Sequence, residues 1–429
     1  MARILYSCVF TLLMPFILLR LIIRVRKAPE YAKRWWQRFG LFSLPNNVSN
    51  RNKFGGIWFH TVSMGEFIAA APLIQQTLTA NPKMLITVTT TTPTGSEQVQ
   101  KQFAVEIVKG QVFHVYLPYD LPWLLNGFIR KIKPSLLVIL ETELWPNLIH
   151  CTKKSGGKVM VINARLSERS AKGYEKVASL SRSMLNQLDC LAVQNSTDGQ
   201  RFLQLGMPEQ NMQVTGSIKF DLTIEQSLIE NGLQWRKNWG ESRKVILVAS
   251  THSGEDQIAL SAFKQVLANH SDALMVVVPR HRERFDQVAN LIELQGFKLG
   301  RRSQDNISKD NQVVLVDTMG ELMLFLAASD ICIMGGSFVE NGAHNPLEPA
   351  ALKVPVLIGP SQFNFALICE ELEKAGGLQT VSEQTLAITL DEWLGDQALI
   401  DEKGLAAKAV VDHNRGAKQK VFELIEKFK

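Results

Sequence analysis

Apolar and polar positions follow three successive patterns along the chain. The first is a nearly unbroken apolar run from Ile4 to Ile23, ILYSCVFTLLMPFILLRLII, interrupted only by Arg20. Wound as a helix, these 20 residues reach about 30 Å, enough for a bilayer core if Arg20 stretches back to the headgroups. The run also suits a helix lying in the interface or an amphipathic helix packed on the protein body. Arg24, Arg26, Lys27, Lys33, Arg34 and Arg38 follow the run, whereas Arg3 alone precedes it. That asymmetry predicts that the remainder stays cytoplasmic. Trp35 and Trp36 suit the headgroup layer, and the absence of a small-residue cleavage site argues against a signal peptide.

The second pattern starts at Gly56. Short β-branched runs, GIWFHT (56–61), MLITVTTTT (84–92), LLVILE (136–141), KVMVINA (158–164) and CLAVQN (190–195), read as strands. Helical stretches lie between them: Glu66–Ala80, Gly95–Phe103 and one from Trp145. Apolar runs of this length alternating with helices predict a parallel sheet covered on both faces. Leu222–Ser242 then lapses into a polar, helical pattern. A third regime repeats the second, with strands KVILVAS (244–250), ALMVVVP (273–279), QVVLVD (312–317), ICIMGG (331–336) and VPVLIGP (354–360), and a helix over Glu255–Ala268. The fold class is therefore α/β: two doubly wound, Rossmann-like domains facing a cleft, behind an N-terminal membrane-anchor helix. The expected divisions are an anchor and basic segment (1–40), a first domain (41–225) and a second domain (226–429). Open sheets of this kind bind ligands at the carboxyl ends of their strands.

Charge sharpens the picture. The net charge is +6, but residues 1–53 hold ten Lys or Arg against Glu30 alone, leaving about −3 for the remaining 376 residues. The basic character is thus local, which disfavours nucleic acid as a partner and favours an anionic membrane surface. Five scattered cysteines without a CxxC argue against a disulfide framework or structural zinc. There is no GxGxxG, GxxxxGK[ST] or HExxH, so dinucleotide, P-loop and zincin chemistries lose their support. The sequon Asn47-Val48-Ser49 has no meaning in a cytoplasmic segment.

Candidate chemistry gathers at the strand ends. HTVSMGEFIAA (60–70) puts Glu66 at a helix start, either as a proton acceptor or as an acid stabilised by the helix dipole. ETELWPN (141–147) carries Glu141 and Glu143, which strand alternation would place on one side, or which cap and face solvent. Lys219 in TGSIKFD and Arg280 in VPRHRERF are cations suited to a carboxylate or phosphate, or are simply solvated. In GGSFVENGAHNPLEPAA, Gly335, Gly336 and Gly342 permit close backbone approach. Asn345, Pro346 and Glu348 there fit a capped helix start, with or without a phosphate on its N–H groups. Ser250, Thr251 and His252 stand at another strand end, and His252 and His344 read equally as ligand contacts or satisfied polar groups.

Taken together, these motifs resemble the 3-deoxy-D-manno-octulosonic acid (Kdo) transferases of lipid A assembly. The likeness runs nearly end to end, through RKAPEYAKRW, HTVSMGE, TTTTPTGSEQV, VYLPYDLP, ETELWPN, NARLSERS, TGSIKFD, VPRHRERF, DTMGELM, GGSFVENGAHNPLEPAA and GPSQFNF. The resemblance implies a glycosyltransferase of the GT-B type with CMP-Kdo as donor and a tetraacylated glucosamine disaccharide phosphate, the lipid A precursor, as acceptor. It implies an inverting displacement in which Glu66 accepts the proton and Glu141 and Lys219 stabilise the transition state. Pro279, Arg280, Met319, Gly320, Glu321, Asn345, Pro346, Leu347 and Glu348 match the CMP-binding positions. No cofactor and no metal are implied, and the location is the inner membrane, with its lipids as partners. Ala343 stands where the family pattern has Gly, so an extra methyl group tightens that loop. Two rivals are a transferase with a UDP-sugar donor, separable by which nucleotide raises the melting temperature, and a non-enzymatic membrane-bound nucleotide sensor or lipid-binding scaffold.

Overall fold

Strands that are apolar along their whole length are stable only where both faces are covered, and each of the two strand series builds such a sheet. The structure, a computed structural model, describes residues 1–51, 56–304 and 306–429. The described chain divides into two compact units, residues 1–218 with 415–429, and residues 219–414.

The first unit holds a seven-stranded sheet. Its strands are β1 (Gly56–His60), β2 (Leu85–Thr90), β3 (Val112–Tyr116), β4 (Pro134–Leu140), β5 (Lys158–Ala164), β6 (Cys190–Val193) and β7 (Met212–Val214). They lie in the order β3-β2-β1-β4-β5-β6-β7, all pairs parallel. Alternation sorts the side chains into two cores. Ile57, Phe59, Val138 and Ile162 enter one, and Trp58, Leu137, Ile139 and Val161 the other.

The second unit repeats the design with β8 (Val245–Thr251), β9 (Leu274–Pro279), β10 (Leu299–Arg301), β11 (Val313–Leu315), β12 (Ile331–Met334), β13 (Val356–Ile358) and β14 (Leu378–Thr380). The order is β10-β11-β9-β8-β12-β13-β14, again parallel. In both sheets the strand order reverses beside the first strand, between β1 and β4 and between β8 and β12. Connections leaving the two sides diverge there, which opens a crevice at the strand ends.

The sequence pattern located ten of these strands. The four it passed over, β3, β7, β10 and β14, are the edges of the two sheets. Three of them are only three residues long, and an edge strand needs less apolar length than a central one.

Two expectations are corrected. Residues 415–429 do not belong with the second domain. The helix Ala417–Phe428 packs Ala417, Val421, Leu424 and Ile425 into the core around Ile57 and Phe59 in the first unit. That spacing is one helical face. The Asn81 side-chain amide donates to Glu426 at 2.8 Å, and Gln76 to Gln419 at 3.1 Å. The division itself falls at Ile218/Lys219 rather than at 225.

The N-terminal helix, Ala2–Lys27, is long and apolar enough to cross a membrane. It is not enclosed by the body: one stripe, with Phe10, Ile17 and Leu21, is half-buried, while Ile4, Leu12 and Phe16 are each more than half exposed. Its polar contacts are few. Arg3 Nη1 donates to Asn147 Oδ1 at 2.9 Å, and Ser7 shares hydrogen bonds with the same amide.

Because Ile425 is fully buried among first-unit residues, Ile425→Ala should destabilise that unit by about 2–5 kcal/mol. Amide hydrogen exchange is expected to accelerate in residues 1–218 and to stay unchanged in 219–414.

Candidate active site

In the first unit, the reversal point brings the loop after β1 beside the loop after β4. The β1 loop turns at Ser63, the N-cap of the helix Met64–Ala80. Ser63 Oγ accepts from the Glu66 N–H at 3.3 Å and donates to Glu66 Oε1 at 2.9 Å. The Val62 N–H donates to the other oxygen, Oε2, at 2.8 Å. This is a capping box displaced by one residue, since the carboxylate reaches the N–H before the cap. Glu66 therefore does close the helix end, as a structural acid would. Its environment does more. Burial pushes its pKa up to about 7 against the pull of the Val62 and Ser63 bonds, and repulsion from Glu141 and Glu143 adds to the rise. A carboxylate poised there exchanges protons near neutrality. Gly65 leaves the approach open: a methyl group at its Cα would meet only Ser63 Oγ, 4.0 Å away.

Glu141 and Glu143 do converge on Glu66, but not by alternation, because β4 stops at Leu140. Glu141 has φ +54°, a left-handed conformation that costs a side-chain-bearing residue on the order of 1–3 kcal/mol. Its N–H still donates to Ile162 O at 2.9 Å, prolonging the β4–β5 ladder, while Oε2 lies 3.5 Å from Arg165 Nε. Glu143 accepts from Trp145 Nε1 at 3.0 Å, and burial raises its pKa. Arg165, the counter-ion, sits one residue past β5; its position at a strand end beside an acid was the available signal.

Lys219 opens the second unit, and its Nζ lies 5.7 Å from the centroid of the Phe365 ring.

At the second reversal point, the ends of β8 and β12 carry a histidine pair. His252 Nε2 and His344 Nε2 are 2.9 Å apart, with rings stacked at 6°. Burial, then the charge of Arg280, lowers the His344 pKa to about 4; His252 is lowered too, mainly by burial. Two neutral rings can share one proton in this contact. The Asn341 amide lies 3.0 Å from His252 Nδ1, and its N–H₂ group satisfies that nitrogen if His252 donates from Nε2.

Beneath the pair, buried Glu255 accepts from the N–H groups of His252 (2.8 Å), Gly336 (2.7 Å) and Phe338 (3.0 Å). It holds the two loops in register, a role that its place in a helical run concealed. Gly335 is needed for chain packing, since a Cβ would lie 2.5 Å from Ser250 O and 2.6 Å from Ala249 O. Gly336 and Gly342 have positive φ, so these glycines serve the loop itself. Ala343, by contrast, is 1% exposed within the core and has no positive φ, so its methyl group is accommodated.

The basic turn after β9 separates into distinct roles. Arg284 is structural, paired with buried Asp256 and donating to Thr251 O at 2.7 Å. Arg280 follows Pro279, its N–H bound to Thr251 O at 3.1 Å. Its guanidinium makes no hydrogen bond or ion pair among the described residues, yet its charge reaches His344 and Glu348. Met319 is 55% exposed, Gly320 has φ +90°, and Glu321 bonds Thr318 and Arg302.

The helix expected from Asn345 begins at Leu347 and has five residues, with Pro346 in the cap position. Asn345 Oδ1 still takes the Leu347 N–H at 3.2 Å, and its amide reaches Glu348 Oε1 at 3.3 Å. Burial raises the Glu348 pKa. Among the described residues, no group of three or more His, Cys, Asp or Glu is placed to hold a metal ion.

Residues 33–222 match the family model described as 3-Deoxy-D-manno-octulosonic-acid transferase (kdotransferase). Across all of this chain and 99% of the relative, the sequence is 38% identical to the 3-deoxy-D-manno-octulosonic acid transferase of Haemophilus influenzae. The chain belongs to the Kdo transferase family. A second member, from Bordetella pertussis, is 32% identical over 86% of each chain. Members of the Kdo transferase family are glycosyltransferases. A glycosyltransferase structure from Rickettsia africae, 13% identical, superposes with a TM-score of 0.55 over 87% of this chain and 98% of that one. That likeness is one of fold, the GT-B kind with two parallel-sheet α/β domains.

Ser63→Ala removes the cap and one donor to the Glu66 carboxylate. Thermal unfolding should show a loss of about 1 kcal/mol. Because a donor to the charged form is lost, the Glu66 pKa should rise further, and the acid limb of the pH–rate profile should move to higher pH.

Proposed function

We propose that this Kdo transferase family member moves Kdo from CMP-Kdo to the 6′-hydroxyl of the tetraacylated lipid A precursor, with inversion at the anomeric carbon. The observation that carries the reading is Glu66, at the reversal point of the first sheet, with two donors on its carboxylate and a pKa pushed up to about 7. A base of that strength is half ionised at neutral pH and takes a proton well as the alcohol attacks.

In the proposed step, the acceptor oxygen forms a bond to Kdo C2 while the bond from C2 to the phosphate oxygen breaks. The electron pair leaves with CMP, and the hydroxyl proton passes to Glu66. The sugar ring becomes oxocarbenium-like, so nearby negative charge from Glu141 stabilises it. CMP departs with one more negative charge than it had in the donor. Arg280, whose guanidinium has no carboxylate partner among the described residues, meets that charge. Pro279, Met319–Glu321 and Asn345–Glu348 complete the proposed CMP site, and Lys219 holds the Kdo carboxylate or phosphate oxygens. The N-terminal helix supports an inner-membrane anchor with the catalytic units on the cytoplasmic side. Tethering there raises the effective concentration of a membrane-confined acceptor.

Glu66→Ala should lower kcat by roughly a hundred- to ten-thousand-fold without loss of fold, read by mass spectrometry of the lipid product and by circular dichroism. Full transfer by a folded variant would overturn the assignment. In the unaltered enzyme, the base must be ionised. Activity as kcat/KM should therefore fall about tenfold per pH unit as pH drops below about 7, and this limb should be absent from the residual activity of the variant.

A further inference from the structure

Arg38 is the most unusual charge in the first unit. It is only 7% exposed, yet no carboxylate pairs with it among the described residues. Its guanidinium makes one hydrogen bond to the protein, from Nη2 to Thr91 O at 2.8 Å. Its ring neighbour is Tyr116, 4.5 Å from centroid to Cζ, and its buried Nε has no partner. Burial lowers its pKa, so the folded chain bears a cost for keeping this cation without an anion.

The residue lines a cavity of about 380 Å³ within the first unit. One wall is apolar and comes from the N-terminal helix, through Phe10, Ile17 and Leu21; Arg20 and Arg24 of the same helix add charge. Two acids also line it, but both are engaged. Asp120 accepts from the Asn147 and Leu148 N–H groups at 3.0 and 2.7 Å, and Glu143 accepts from Trp145. Val62 and Thr91 also line it. These connect the cavity to the proposed base: Arg38 donates to Thr91 O, the Thr91 N–H donates to Val62 O at 3.2 Å, and the Val62 N–H holds Glu66.

We propose that Arg38 is the anion-recognising residue of this cavity, and that the cavity seats the phosphorylated sugar headgroup of an acylated lipid beside Glu66. The chemistry selects this occupant. A guanidinium with unused donors matches a phosphate monoester, while the helix wall matches an acyl chain and would be wasted on free phosphate. Identifying that lipid as the acceptor rests on the function proposed above; its binding does not.

The test uses the full chain in lipid nanodiscs and measures equilibrium binding of the diphosphorylated, tetraacylated glucosamine disaccharide, against the same lipid after phosphatase treatment. The unaltered protein should favour the phosphorylated lipid by roughly ten- to a hundredfold, the scale of a charge-assisted hydrogen bond. Arg38→Gln should bring that ratio close to one, leaving CMP binding unchanged and the melting temperature no lower. If Arg38→Gln does not fold, the exposed pair Arg20→Gln with Arg24→Gln is the reporter, and it should lower the ratio several-fold. An unchanged ratio in the folded variant would overturn the proposal. So would complete displacement of the lipid by millimolar inorganic phosphate, which would make the cavity a simple phosphate site. Kdo transfer by the unaltered protein is assayed separately, so failure of the proposed reaction is distinguishable from failure of this site.

Discussion

Central strands buried on both faces leave a parallel sheet nowhere to put polar chemistry except at its ends, and this constraint organises both units. Within the sheets, side chains alternate between two apolar cores, and backbone groups are consumed by the ladders. At the carboxyl ends both restrictions lapse. Where strand order reverses, adjacent loops part, and side chains from strands distant in sequence meet. Glu66 and Glu141 meet after β1 and β4; His252 and His344 meet after β8 and β12.

The two crevices solve opposite electrostatic problems. In the first unit, three acids act on one another: Glu66 is half-buried within reach of the charges of Glu141 and Glu143, and its raised pKa follows from lost hydration and mutual repulsion. Arg165 offsets part of this by pairing with Glu141. In the second unit the surplus is positive. Arg280 makes no ion pair among the described residues, burial lowers the pKa of both histidines, and Glu255 commits its charge to three backbone N–H groups instead of to the ligand side. An acidic crevice suits a proton acceptor and a developing cation, and a basic one suits a nucleotide phosphate.

Much of this was legible in the sequence, and the reasons for the remainder are physical. Long β-branched runs announced the central strands; short edge strands such as Met212–Val214 left little trace because half their hydrogen-bonding potential faces outward. Glu66 was legible as a candidate because an acid at a helix start directly after a strand is a local pattern, although its Ser63 cap was not read there. Its pKa was not, since Glu141 and Glu143 lie some 75 residues away in sequence. Alternation gave the wrong reason for their convergence, because β4 ends before them and Glu141 adopts a left-handed backbone. Arg38 looked like one more basic residue in a membrane-flanking cluster. Only tertiary packing buries it with no carboxylate beside it among the described residues. The last helix was misassigned because amphipathic periodicity specifies that a face is buried and not which core receives it.

That last helix has a consequence for the order in which the protein can be built. Residues 1–218 leave the ribosome first, yet the surface that receives Val421 and Ile425 waits for residues 415–429. At about 5–20 residues per second, the gap is roughly ten to forty seconds. During that interval the second unit is itself being synthesised, while the first presents an uncovered apolar strip. The usual amino-to-carboxyl sequence of maturation is thus inverted: the domain begun earliest is sealed only after the whole of the second unit has been made.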